Sequence, residues 1–141
     1  MLAKKIPYTD FNGNPREETF YFNLSKAEIL EMELGVAGGM TKLIESMVAA
    51  EDGPGLAKFY KDIILKSYGE KSLDGKRFIK SQEIRDAFEQ TDAYSELYME
   101  LVTDRDKASE FVRGIMPAQA IQQVSDHNKP ELKMTTTEGL E

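Results

Sequence analysis

The sequence predicts an α+β fold, mainly α, in which a short N-terminal β-hairpin joins a compact multi-helix domain followed by a disordered polar C-terminal tail. Three observations carry this. Residues 4–22 alternate apolar and polar side chains around a cluster of turn formers. Residues 25–115 repeat apolar side chains at three- and four-residue spacing behind capping residues. Beyond Pro117 both patterns stop. The expected division is a single domain over 1–117, with its hairpin at about 4–22, and a flexible tail over 118–141.

In chain order, Lys4 to Thr9 sets Ile6 and Tyr8 on one side, and Glu18 to Phe22 does the same with Phe20 and Phe22. Asp10, Asn12, Gly13, Asn14 and Pro15 supply the turn. Ser25 and Glu28 make a capping box, with Leu24 and Ile29 as its hydrophobic staple, and open a helix that Gly35 ends after Leu34. Gly38 and Gly39 precede a second helix carrying Leu43, Ile44, Met47 and Val48, which Glu51-Asp52-Gly53 breaks. Pro54 suits the first turn of a third helix, whose Leu56, Phe59, Tyr60, Ile63, Ile64 and Tyr68 cover a wide face, with Leu65 opposite. Gly69 to Lys80 is a polar connector with a short extended piece at Arg77-Phe78-Ile79. Ser81 caps a helix bearing Ile84, Ala87 and Phe88, and Thr91 caps one bearing Tyr94, Leu97, Tyr98 and Leu101. Thr103 with Asp106 forms the expected box of a last helix bearing Ala108, Phe111, Val112 and Ile115, limited by Pro117. Gln119 to Gln123 fits a frayed turn. Ser125 to Glu141 has too little apolar surface to offset the entropy of ordering, and Leu140-Glu141 reads as a vector-derived scar.

Composition narrows the function classes. The chain has no cysteine, no tryptophan and one histidine, His127, placed in the tail. Without cysteine there is no disulfide framework and no thiolate chemistry, which fits an intracellular protein. A net charge of -7 repels phosphate backbones and anionic lipid, so neither nucleic acid nor membrane is expected as a partner. Met1-Leu2-Ala3-Lys4-Lys5 leads into strand sequence instead of an apolar segment, so no signal peptide is expected, and no apolar run is long enough to span a bilayer.

No chemical motif survives inspection. Asp10-Phe11-Asn12-Gly13-Asn14 imitates the start of a calcium loop, but Pro15 stands where glycine is required and Tyr21 where a bidentate glutamate is required. Glu17 with Glu18, and Glu28, Glu31 and Glu33, have no histidine or lysine at a spacing that suits acid–base catalysis or a metal, and they read as solvated faces. The basic concentration at Lys71, Lys76, Arg77, Lys80 and Arg85 is interleaved with acids, and reads as a solvated loop or a docking patch for an acidic partner. The glycine pairs at 38 and 39 and at 53 and 55 lack the Lys-Ser/Thr of a phosphate-binding loop. No catalytic residue, cofactor or metal is expected. What stands out is the wide apolar face from Leu56 to Tyr68, which suits core packing on more than one flank, or else self-association or a hydrophobic partner through Phe59, Tyr60, Ile63 and Ile64.

Five segments together resemble a known family: Tyr8-Thr9-Asp10-Phe11-Asn12-Gly13-Asn14; Phe20-Tyr21-Phe22-Asn23-Leu24-Ser25-Lys26-Ala27-Glu28; Asp62-Ile63-Ile64-Leu65-Lys66-Ser67-Tyr68-Gly69; Gly75-Lys76-Arg77-Phe78-Ile79-Lys80; and Phe88-Glu89-Gln90-Thr91-Asp92-Ala93-Tyr94-Ser95-Glu96-Leu97. This texture, over residues 4–117, resembles the tail assembly chaperones of long-tailed phages and prophages, in the branch found in Gram-positive hosts. The resemblance implies a non-enzymatic protein of the bacterial host cytoplasm, absent from the mature virion. It would coat the helical tape measure protein, keep it soluble and help the tail tube protein polymerise around it. It also implies that this is the short form of a pair whose frameshifted long form carries contacts to tube subunits. The apolar faces offered to such a client are those of the third helix, through Phe59, Tyr60, Ile63 and Ile64, and of the last helix, through Phe111 and Ile115. Two other classes stand beside it: a small structural virion protein of the head-tail or tail-completion kind, and a small enzyme whose carboxylates converge from separate helices.

Overall fold

The computed structural model describes residues 1–117. Among them are four strands and six helices, in the order β1 (Leu2–Thr9), β2 (Pro15–Phe22), α1 (Lys26–Leu34), α2 (Gly39–Ala49), α3 (Gly53–Ser67), β3 (Tyr68–Lys71), β4 (Phe78–Ile79), α4 (Gln82–Glu89), α5 (Asp92–Thr103) and α6 (Arg105–Ile115). The fold class is the expected α+β. The tail expected over 118–141, with its turn at 119–123, His127 and Leu140-Glu141, lies outside the described residues.

The hairpin extends further than the sequence pattern marked. β1 and β2 pair antiparallel from Leu2 opposite Phe22 to Thr9 opposite Pro15. Asp10 closes the turn through its backbone and its carboxylate, which accepts from the amides of Asn12 and Asn14 at 2.9 Å each. The hairpin is also half of a four-stranded antiparallel meander, because β3 adds to β2 and β4 to β3. Tyr68, expected on the face of the third helix, caps the C-terminus of α3 in extended conformation and begins β3, paired with Phe22. Gly69 follows because β4 crosses closely there. A Cβ on it would lie 2.7 Å from both the Ile79 carbonyl oxygen and the Phe78 ring.

Local capping sets most helix starts. The Ser25–Glu28 box forms as expected. Ser81 and Thr91 accept from the amides of Ile84 and Tyr94, and Asp52, one residue before Gly53, caps α3 by accepting from Gly55. The expected Thr103–Asp106 box does not form. Thr103 is the last residue of α5 and donates its hydroxyl to the Met99 carbonyl. Asp104 caps α6 instead, accepting from the amides of Asp106 and Lys107. A charged acceptor directly before the helix takes the place of a threonine that the previous helix already uses.

The core lies between the sheet and helices α3 to α6. Phe22, fully buried, sits with its ring centroid 5.6 Å from Tyr68, 5.8 Å from Phe88 and 5.2 Å from Phe111, so one strand residue touches β3, α4 and α6. Tyr68 and Phe88 stack at 4.2 Å. Beyond Phe22 the chain is pinned by two backbone bonds: Asn23 donates to Ser67 at the end of α3, and Leu24 donates to Ile115 at the end of α6. Ser67 is a buried polar residue, satisfied by donating its hydroxyl to the carbonyls of Ile63 and Ile64. The ends of α3 and α6 are thus fixed side by side, while α1 and α2 fold back as a helical pair on α3.

Candidate functional site

Four helices leave an open apolar groove between them, with a volume of about 460 Å³. α3 presents Leu56, Phe59, Tyr60 and Ile63, spaced i, i+3, i+4, i+7, as one wall. α6 presents two rows at four-residue spacing, Ala108 and Val112 inside and Arg105, Ser109 and Arg113 along the edge, and its C-cap Met116 joins the inner lining. The facing wall is Ile29, Met32 and Glu33 of α1 with Met40, Thr41 and Val48 of α2, and Leu24 belongs to the floor. Three methionines in one groove give it polarizable side chains that can repack around different surfaces.

One side-chain contact ties α1 to the start of α2. Gly38 caps α2 in the left-handed conformation with no side chain able to serve the first amides. Glu33 serves instead, accepting from the Met40 amide at 3.1 Å, and a Cβ on Gly39 would run into that carboxylate. A carboxylate at a helix N-terminus is favourably placed, so Glu33 helps hold α1 against the start of α2. It is the groove's one carboxylate among the described residues, and it is spent on the cap.

The expected interface residues separate into two sets. Phe59 and Tyr60 are half-buried in the groove, and Ile63 forms part of its wall. Ile64, Phe111 and Ile115 are buried in the core, at 0%, 2% and 0% exposure, and do not line the groove. α3 is covered on two flanks, by α5 as well as by the α1–α2 pair, which accounts for the width of its apolar face. Sequence reasoning missed Met32, Met40 and Met116, together with the arginine edge of α6. The regular Arg105–Ser109–Arg113 spacing was the available signal.

Several charged groups elsewhere have structural partners. The imitation calcium loop commits Asp10 to two amides and to Arg16 (2.6 Å), and the Arg16 bond, then the amides, hold its carboxyl below the usual carboxylate range. Glu18 accepts from the Tyr8 hydroxyl at 2.6 Å. In the basic concentration, Lys71 lies 4.4 Å from the Tyr21 ring centroid and Lys80 is bound to Glu28 and the Asn23 carbonyl. Burial, then the charge of Glu89, pushes the Tyr94 hydroxyl up to about 12. Among the described residues no group of three or more His, Asp or Glu is placed to hold a metal ion, and no helix is long and apolar enough to cross a membrane.

The arrangement suits recognition of an apolar protein segment more than chemistry on a small molecule. No curated protein and no solved structure matches the chain. A family described as phage tail assembly chaperone matches it over residues 1–141, from the hairpin through the groove helices to the C-terminus, and the chain belongs to that family.

Proposed function

We propose that this chaperone is non-enzymatic and acts in the cytoplasm of a Gram-positive host, holding helical segments of the tape measure protein in the groove between α1, α2, α3 and α6. Held there, the client stays soluble until the tail tube protein polymerises around it, and the chaperone is displaced before the virion is complete. The observation that supports this reading is the groove: apolar, open, bearing three methionines and lined by helices, it is the kind of surface into which an amphipathic helix lays its apolar face. The family supplies the setting, tail assembly. Co-expression tests the reading. Tape measure fragments made with the full-length chain are expected in the soluble fraction, and solubility no better than with an unrelated acidic protein overturns it. Purified virions are expected to lack the polypeptide.

A further inference from the structure

The charge along the groove runs against the charge of the chain. The protein carries a net -7, yet the α6 edge of the groove places Arg105 and Arg113 on either side of Ser109, all three exposed. Neither arginine joins an ion pair among the described residues, although Asp106 and Glu110 stand on the same helix without lining the groove. Eight residues of helix set the two arginine backbones roughly 12 Å apart, a little over two turns. On the opposite wall Glu33 is the one charged lining residue among the described residues, and one of its oxygens accepts from the Met40 amide at the N-terminus of α2. An apolar trough with two guanidinium groups on one lip, unpaired among the described residues, is complementary to a helix that is apolar on one face and acidic on the adjoining flank.

We propose that the groove selects an amphipathic helix bearing two carboxylates seven or eight residues apart along one flank of its apolar face, and that Arg105 and Arg113 pair with them. The occupant is a segment of the proposed client, so this assignment rests on that reading and narrows it to segments with that spacing. Arginine suits the role because its planar fork meets a carboxylate in two parallel hydrogen bonds. The acidic surface elsewhere disfavours nucleic acid as the source of the negative charge.

The test uses the full-length chain and three fluorescein-labelled helical peptides of 18 residues that share one Leu/Met stripe. Their flank positions 5 and 12 are Glu, Gln or Lys. In fluorescence anisotropy the Glu peptide is expected to bind about three- to tenfold more tightly than the Gln peptide, as two rim ion pairs permit, with the Lys peptide weakest. In R105Q/R113Q the Glu and Gln peptides become equal, and R105E/R113E prefers the Lys peptide. Both positions are exposed, and circular dichroism confirms that each variant is folded. Equal affinity of the wild type for Glu and Gln peptides overturns the charge assignment. If tape measure fragments nevertheless stay soluble on co-expression, the chaperone reading stands without it. Failure of every peptide to bind, peptide binding only after residues 118–141 are removed, or a dimer whose dissociation by Val112→Asp exposes the groove, overturns the occupant named here in favour of none, the chain's own C-terminal segment or a second copy, respectively.

Discussion

Lys80 grips Glu28 across 52 residues of sequence, its ammonium 2.9 and 2.8 Å from the two carboxylate oxygens and 2.7 Å from the Asn23 carbonyl. The same carboxylate completes the capping box of α1 by accepting from the Ser25 amide. One contact therefore joins the end of the β4 segment to the start of the groove wall. Burial raises the Glu28 carboxyl, but the Lys80 and Ser25 hydrogen bonds outweigh it and hold the group below its ordinary 4.5.

The first prediction follows from that contact. Lys80→Ala is expected to lower stability by about 1–2 kcal/mol at neutral pH, the charge-assisted bonds being discounted for partial exposure. Because the folded Glu28 is depressed, its stabilisation is complete above pH 4.5 and is lost as pH falls through the lower folded value. Urea unfolding between pH 6 and pH 3 checks the sign. The wild type loses more stability over that window than Lys80→Ala, and parallel curves would refute the linkage.

Phe22 is fully buried and touches three elements at once, so Phe22→Ala is expected to cost about 3–5 kcal/mol. That is a large fraction of the stability of a small domain. Phe22→Leu should lose clearly less. Equal losses in the two variants, measured by thermal or urea unfolding, would mean that the aromatic cluster is not the packing centre.

Gly69→Ala is expected to destabilise by about 1–3 kcal/mol, since its Cβ would meet a backbone oxygen as well as a ring. Amide exchange should quicken first at Glu70–Ile79 and Lys71–Phe78, the β3–β4 pairs. Unchanged protection there would contradict the close approach.

What the sequence made readable was whatever closes within a few residues. The caps at Ser25, Ser81 and Thr91 each bond an amide three positions on, and the hairpin announces itself through alternation around Asn12-Gly13. β3 was hidden because a four-residue strand exists only by pairing with distant β2, whereas β4, Phe78–Ile79, falls within the extended piece expected at Arg77-Phe78-Ile79 and pairs with β3. The groove was half visible. The helical spacing of Leu56, Phe59, Tyr60 and Ile63 marks a wall, but nothing local tells that Ile64 is spent on the core or that Met32 of α1, Met40 of α2 and Met116 after α6 join the lining. Asp104 in place of Thr103 is a local error of another kind, where two adjacent acceptors competed for one helix end.

Calcium at millimolar concentration, and chelators, are expected to leave the melting temperature unchanged. The Asp10 oxygens that would begin a calcium loop are already occupied by Asn12, Asn14 and Arg16. A rise that grows with calcium concentration, as linkage requires of a bound ligand, would reverse this reading.

The last prediction separates groove from tail. A chain truncated after Pro117 is expected to keep tape measure fragments soluble, because the groove lining among the described residues comes from residues 24–116, whereas residues 125–141 offer few large apolar side chains for an interface. Val112→Asp and Met32→Glu are expected to reduce client solubility at least several-fold. Both side chains are half-buried groove lining, so the new charge meets the client without entering the core. Phe111→Asp would lose activity as well, but by unfolding, since that ring is buried against Phe22. Circular dichroism distinguishes the two causes: the groove variants keep the wild-type helical signal and the core variant does not. Loss of activity on truncation alone, with the groove variants fully active, would move the client site out of the helices and into the last 24 residues.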